Sequence, residues 1–159
     1  MKFTPEETVA AGKIPSGLFI VATKNNNKID GFLGSLIQQV SFQPLLVALA
    51  IKPGRPAYDS IMAKNTFTIN VAGDHDKSYM KLFWKGYDAN ENPFDELQIT
   101  ETENQGILLN AAMAALDCRL VETLKPGDHQ LVIAEVLQCY TLNADAKPLT
   151  HIRKNGLSY

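Results

Sequence analysis

Apolar residues recur along much of this chain with the period of a β-strand. Segments 66–72 (TFTINVA) and 114–122 (AALDCRLVE) carry apolar side chains at every second position. Segment 18–23 (LFIVAT) is apolar almost throughout and lies between two groups of turn residues, which predicts a buried strand. Segment 130–142 (QLVIAEVLQCYTL) exceeds the usual length of a strand, so we expect it to bend around a barrel.

Helical spacing appears in two short segments. Segment 55–65 (RPAYDSIMAKN) has Pro56 at a plausible first helical position, followed by apolar residues at helical spacing. Segment 76–85 (DKSYMKLFWK) forms an aromatic face from Tyr79, Phe83 and Trp84. Many strands with only two short helices indicate a mainly β fold, and we expect a closed antiparallel barrel rather than βαβ units.

Composition and charge limit the classes of function. A chain of 159 residues without repeats or linkers suits a single domain over 1–159. Its net charge of -2 provides no positive field for nucleic acid or an anionic membrane. The longest apolar run, 45–51, is far shorter than the roughly 18 to 20 residues of a membrane span. The residues after Met1 lack the apolar core of a signal peptide, so we predict a cytoplasmic protein.

Common catalytic motifs do not occur in the sequence. GFLG at 31–34 is neither a dinucleotide fingerprint nor a Walker loop, and no HExxH, GxSxG or metal-ligand spacing occurs. Cys118 and Cys139 lie outside any metal-type cluster, so we interpret both as structural thiols. These absences disfavour a hydrolase or a metal enzyme. The histidines are scattered along the chain: His75, His129 and His151.

Four motifs, taken in order, carry a resemblance to a known family. The first is Gly31 followed by LGSLIQQ (33–39) and VSFQPLL (40–46). The other three are NTFTINVAG (65–73), AALDCRL (114–120) and GDHQLVIAEV (127–136). In this order, and over roughly 14–159, the sequence resembles the flavin reductase-like family. Within it, SLIQQVSFQP and HIRKNGLSY look closest to the C-terminal flavin-reductase module of cyanobacterial flavodiiron proteins. The resemblance implies an FMN-binding split β-barrel, antiparallel with Greek-key topology and a few short helices.

The resemblance also implies ligands and partners. FMN is the expected cofactor, with FAD as the alternative, and NAD(P)H is the expected hydride donor. A second subunit would close the open face of the flavin, which implies a homodimer. The segment around GFLG would form the flavin loop, with these residues as its binding positions: Leu33, Gly34, Ser35, Leu36, Gln38, Gln39, Val40 and Ser41.

The chemistry of FMN agrees with this segment. The flavin is a flat, largely apolar ring with a polar edge and a dianionic tail. Leu33, Leu36 and Ile37 can form a wall for the ring, and backbone N–H groups of the loop can face its polar edge. The turn with Lys52 and Arg55 leads into the N-terminus of the first predicted helix, which favours phosphate, and Arg55 can add a bidentate contact. The alternative is that both cations are ordinary solvated turn residues.

Several polar and aromatic residues leave two interpretations open. The resemblance implies that His129, in the GDH turn, contacts the nicotinamide or the flavin edge, and the alternative is a turn histidine bonded to backbone. Asn70 either bonds to the flavin loop or belongs to an exposed polar strand face. The aromatic face of segment 76–85 fits core or dimer packing better than flavin stacking. We expect His75 and His151 at the surface.

The predicted function is therefore that of an FMN-binding oxidoreductase. NAD(P)H would deliver hydride from its C4 to flavin N5, and electrons would pass to free flavin, a protein partner or another acceptor. The cofactor supplies the chemistry and the protein supplies position and electrostatics, which agrees with the lack of an acid–base pair in the sequence. The alternative is a non-catalytic FMN carrier or electron-relay module serving a redox partner.

Overall fold

A computed structural model describes residues 3–88 and 90–157. Its elements, in chain order, are α1 (Val9–Gly12), β1 (Ser16–Gly17), β2 (Phe19–Asn25), β3 (Lys28–Gly34), β4 (Ile37–Phe42), β5 (Leu45–Ile51), α2 (Pro56–Lys64), β6 (Thr66–Val71), a 3₁₀ turn (Ser78–Met80), α3 (Lys81–Trp84), a second 3₁₀ turn (Pro93–Glu96), β7 (Ile99–Glu101), β8 (Ile107–Leu109), β9 (Ala114–Leu124), β10 (Gln130–Thr141) and β11 (Thr150–His151). Within the described residues, no helix is long and apolar enough to cross a bilayer.

The main sheet is antiparallel and curls into a barrel with one open seam. Its seven strands follow the order β3-β2-β6-β9-β10-β5-β4. β3 and β4 lie at opposite edges of this sheet, although only Ser35 and Leu36 separate them in the chain. The three Cα–Cα steps from Gly34 to Ile37 reach at most about 11 Å. The two edges must therefore approach each other, and the predicted mainly β, antiparallel barrel with few short helices is confirmed.

Two apolar clusters stabilise this barrel. One fills its interior with side chains from the main-sheet strands, and Ala57 and Ile61 of α2 close it. The other lies on the opposite face of β2, where the turns around Phe83 and Phe94 pack with β8. Much of the sheet is therefore buried on both faces.

Burial of both faces corrects the prediction for β6. Alternation places Thr68 and Asn70 on the polar face of this strand, and an exposed face was one of the two interpretations of Asn70, but both residues are fully buried. The backbone N–H of Ile107 donates to Thr68 Oγ1 (2.9 Å), and that of Leu109 donates to Asn70 Oδ1 (2.8 Å). Thr68 and Asn70 of β6 are thus polar because they accept hydrogen bonds from backbone N–H groups of β8.

The segment predicted as a flavin loop is mostly strand. Residues 31–34 belong to β3 and residues 37–39 to β4. Gly31 is required by close packing rather than by a turn, because a Cβ there would lie 2.5 Å from the Phe94 ring and 2.6 Å from the Val21 carbonyl oxygen. The missing side chain interrupts the apolar pattern, which hides the strand in the sequence.

Three further predictions can be compared with the structure. The long strand β10 has two register shifts against β9, and such irregularities bend a strand as its length predicts. The second predicted helix is present over residues 78–84, where a 3₁₀ turn continues directly into one α-helical turn that ends before Gly86 at φ +74°. Cys118 is buried, as a structural thiol should be, whereas Cys139 is exposed.

Candidate functional site

A cavity of about 200 Å³ lies beside the barrel seam. The end of β3, the end of β5 and the turn before α2 form most of its wall, and α3, β11 and the turn before β10 complete it. Its lining residues are Leu18, Phe32, Leu33, Gly34, Ser35, Ala50, Ile51, Lys52, Arg55, Phe83, Trp84, His129 and His151. One part of this wall is apolar and aromatic, and the other carries cationic and imidazole side chains.

Ser35 provides an unused hydrogen-bonding group at the seam. The residue is only 4% exposed, and its Oγ has no hydrogen-bond partner among the described residues. An unsatisfied buried hydroxyl costs about 1 to 3 kcal/mol. Because Ser35 lines the cavity, a polar group of a bound ligand could satisfy this hydroxyl.

The charge of the cavity is positive although the chain is negative overall. Lys52 and Arg55 both line it, and none of the described lining residues is acidic. Arg55 is also the N-cap residue of α2, whose first N–H groups and dipole favour an anion. This arrangement is suited to a phosphate group.

His129 is held in the cavity wall by its neighbour in the chain. Its Nδ1 lies 2.8 Å from Asp128 Oδ1, and its side chain is 22% exposed. The hydrogen bond with His129, followed by the charge of the imidazolium, lowers the pKa of Asp128 from its ordinary value. The carboxylate thus contacts one of the two ring nitrogens of the imidazole.

Phe83 and Trp84 belong to the aromatic face that was expected to pack in a core or at a dimer interface rather than on the flavin. Phe83 does so, in edge-to-face contacts with Phe94 (5.2 Å between ring centroids) and Tyr87 (6.2 Å). Tyr79 is likewise buried. Trp84 differs, because it lines the cavity and remains 62% exposed.

Six of the predicted binding residues do not line this cavity. Leu36 and the β4 residues Gln38, Gln39, Val40 and Ser41 lie outside it, and the first three of those β4 residues are exposed. Asn70 also lies outside, in the core, where Nδ2 donates to the carbonyl oxygens of Ile20 and Ile107. Its amide is thus used by the protein backbone, which corrects the prediction of a flavin contact.

Sequence reasoning missed His151 as a cavity residue. It was expected at the surface, but the pairing of β11 with β1 places His151 opposite Ser16 and makes it part of the cavity wall. Strands of two residues give no periodic signal, and this pair joins distant parts of the chain. His75, by contrast, is exposed as expected.

The comparison with known sequences identifies the family. A family model described as "Flavin reductase like domain" matches residues 11–156. Diflavin flavoprotein A 6 of Nostoc sp. is 32% identical over 152 residues, which are 94% of this chain and 26% of that protein. The chain thus spans about a quarter of the length of the curated relatives it matches.

Solved structures share the fold. The NADH:FAD oxidoreductase SgcE6 of Streptomyces globisporus C-1027 superposes with a TM-score of 0.82 at 20% identity, covering 91% of this chain and 86% of that one. Its complex with NAD and FAD fragments gives a TM-score of 0.79 at 21% identity, with coverages of 90% and 84%. At this level of identity the likeness concerns the fold alone, whereas the family match extends over nearly the whole sequence: the chain belongs to the flavin reductase-like domain family.

Proposed function

We propose that this domain binds FMN in the cavity at the barrel seam and transfers hydride from NAD(P)H to the flavin. The observation that carries the proposal is the cavity itself. It joins an apolar wall, the unpaired hydroxyl of Ser35 and the two cations Lys52 and Arg55, which match the ring, the polar edge and the phosphate of FMN. FAD is the alternative flavin, and electron transfer from the flavin to an acceptor completes the proposed reaction.

Each group of residues has a separate role in this proposal. Phe32 and Leu33 contact the ring, and Ser35 donates to its polar edge. Lys52 and Arg55 bind the phosphate, assisted by the N-terminus of α2. When bound, the flavin accepts hydride from the nicotinamide and stores two electrons. The protein positions both ligands and keeps water from the apolar side of the site.

His129 is proposed to position the hydride donor. Its imidazole lines the cavity, and its Nδ1 lies 2.8 Å from Asp128 Oδ1. An imidazole in the cavity wall can contact the amide or phosphate groups of a nicotinamide nucleotide. We therefore assign donor positioning, not proton transfer, to His129.

A second copy of this chain is the proposed partner. Leu36 and the β4 residues lie outside the cavity of one chain, so a role for them at a flavin depends on a homodimer. The identity of the electron acceptor stays a prediction, with a protein partner as one of the alternatives. The cytoplasmic location also stays a prediction.

Flavin titrations test the phosphate site. Arg55→Ala should weaken FMN binding roughly ten- to a hundredfold, because a hydrogen bond to a charged group contributes about 1.5 to 3 kcal/mol. Riboflavin lacks the phosphate and should bind wild type and variant nearly alike. An unchanged FMN dissociation constant, with a thermal melt that confirms folding, would remove Arg55 from the site.

Anaerobic stopped-flow reduction tests the reaction. Protein loaded with FMN should lose the absorbance of oxidised flavin in the blue part of the spectrum when it is mixed with NADH or NADPH. An FMN complex that neither nucleotide reduces would leave the carrier or electron-relay function instead.

A further inference from the structure

Trp84 has an unusual environment for a tryptophan. It is the one tryptophan of the sequence, and it lines the cavity while 62% of it is exposed. Tryptophan is on average among the more buried residues, since its large apolar surface gains most from leaving water. Its exposed surface lies beside the site proposed for a flat aromatic ligand.

The turn that carries Trp84 is firmly held. Phe83, its neighbour, is 3% exposed and packs edge-to-face against Phe94 and Tyr87. Tyr87 Oη accepts from the Gly31 N–H (2.8 Å) and donates to the Gly31 carbonyl oxygen (2.9 Å). These contacts attach the turn to β3, whose last residues line the same cavity. A ligand that contacts Trp84 therefore does not have to order the backbone of this turn.

We propose that the indole of Trp84 stacks on the isoalloxazine ring of the bound flavin. The inference depends on the proposed function and assigns one more contact residue to that site. The indole is uncharged and electron-rich, whereas the oxidised flavin ring is planar and electron-poor, so the ring is the part of FMN that it fits. Lys52 and Arg55 already provide for the phosphate.

Three variants test the stacking contact through flavin affinity. Trp84→Leu removes the aromatic ring, Trp84→Phe keeps one, and Phe3→Leu removes an aromatic side chain that is 56% exposed and does not line the cavity. Trp84→Leu should weaken both FMN and riboflavin about two- to tenfold, the range expected for an aromatic pair. Trp84→Phe should stay within about twofold of wild type, and Phe3→Leu should not differ from it.

The emission of bound riboflavin gives a second readout that does not involve turnover. Contact with an indole quenches flavin emission, because the indole donates an electron to the excited ring. Bound riboflavin should therefore be brighter in Trp84→Leu and in Trp84→Phe than in wild type or Phe3→Leu. Melting temperatures should change little, because most of the Trp84 side chain is already in water.

Two results would overturn the inference. The first is a Trp84→Leu variant that binds riboflavin as tightly as wild type with equally weak emission. The second is an unchanged flavin affinity combined with weaker NAD⁺ binding to the FMN-loaded variant, which would assign the indole to the nicotinamide nucleotide. If the wild type itself binds neither flavin, the proposed function fails and this inference fails with it; the wild-type titration separates that case from the other two.

Discussion

Ser35 and Ser60 are both buried serines, but their hydroxyl groups differ in one respect. Ser60 Oγ donates to Asp30 Oδ2 at 2.8 Å, whereas Ser35 Oγ has no partner within the described part of the chain. Their exposed fractions are similar, 6% and 4%. The hydroxyl of Ser60 therefore stabilises the folded chain, while that of Ser35 is the one we propose for a ligand contact.

The variant Ser35→Ala should separate stability from binding. The free energy of unfolding of the flavin-free protein should be unchanged or higher, since an unsatisfied hydroxyl is removed. FMN affinity should fall about two- to tenfold through the loss of one hydrogen bond. Urea unfolding and a flavin titration measure the two quantities.

Ser60→Ala is the matched control. It deprives Asp30 of a buried donor and should lower the free energy of unfolding by about 1 to 3 kcal/mol. FMN affinity per folded molecule should not change. If Ser35→Ala destabilised the protein as much as Ser60→Ala does, Ser35 would have a structural partner and no special role at the flavin.

His129 allows a kinetic prediction at the same scale. His129→Ala should slow the reduction of bound FMN by NAD(P)H and leave FMN affinity almost unchanged, because only the donor loses a contact. Stopped-flow traces at several nucleotide concentrations would measure the effect. The exposed His75 provides the control, and His75→Ala should match wild type. Equal losses of rate and of FMN affinity in His129→Ala would argue against donor positioning.

At the scale of elements, Asn70 connects three strands. Its amide lies in β6, donates to carbonyl oxygens in β2 (Ile20, 3.3 Å) and β8 (Ile107, 2.9 Å), and accepts from the Leu109 N–H in β8 (2.8 Å). The short strand β8 depends on these bonds, because its pairing with β7 covers only three residues. Asn70 is thus a structural residue that joins β8 to the main sheet.

The substitution Asn70→Ala should therefore lower the free energy of unfolding. Three buried backbone groups lose their hydrogen-bond partner, and each loss costs about 1 to 3 kcal/mol. Because the structure around the site can relax and recover part of this cost, we expect the free energy of unfolding to fall by about 3 kcal/mol. Asn27→Ala, at an exposed turn position, should change it by less than about 0.5 kcal/mol. Chemical denaturation of both variants measures the difference. A loss of flavin affinity without a loss of stability in Asn70→Ala would restore Asn70 to the site.

The packing of the secondary-structure elements also explains which residues of the site could be predicted from the sequence. Arg55 and His129 stand in turns with recognisable chemistry, and the cavity includes both. Trp84 and His151 could not be assigned, because their place depends on how distant segments pack. The pattern of segment 76–85 does not distinguish Phe83, which faces the core, from Trp84, which faces the cavity. The strand β11 exists only through its pairing with β1.

At the scale of the whole molecule, the open edge of β4 is a conspicuous surface. Ile37–Phe42 contains no charged residue, and Val40 and Phe42 are 52% and 91% exposed. Proteins usually protect sheet edges with charge, a bulge or a covering segment, since an uncharged apolar edge promotes association. β4 has a register shift against β5 between Gln39 and Ser41, but it has no charge. A second copy of the chain is the occupant we propose for this edge.

Light scattering tests this assembly. The wild type should have a mass of about 35 kDa, twice the 17.5 kDa of one chain. Phe42→Lys should shift the mass toward one chain at micromolar concentration, because a buried unpaired lysine opposes association. Phe3→Lys, at another exposed phenylalanine, should remain a dimer. A wild-type monomer that binds FMN tightly would contradict both the dimer and the shared site.

The β1–β11 pair has a consequence for the order of events during synthesis. A ribosome that has translated β10 has already produced all seven strands of the main sheet, but not the strand that carries His151. β11 must then pair with β1, which was translated long before it and lies next to α1, where the Arg153 N–H donates to the Gly12 carbonyl oxygen at 3.1 Å. Contacts over such a separation form late. A nascent chain can thus bury its barrel before its cavity is complete, so the flavin should be acquired after β11 has emerged.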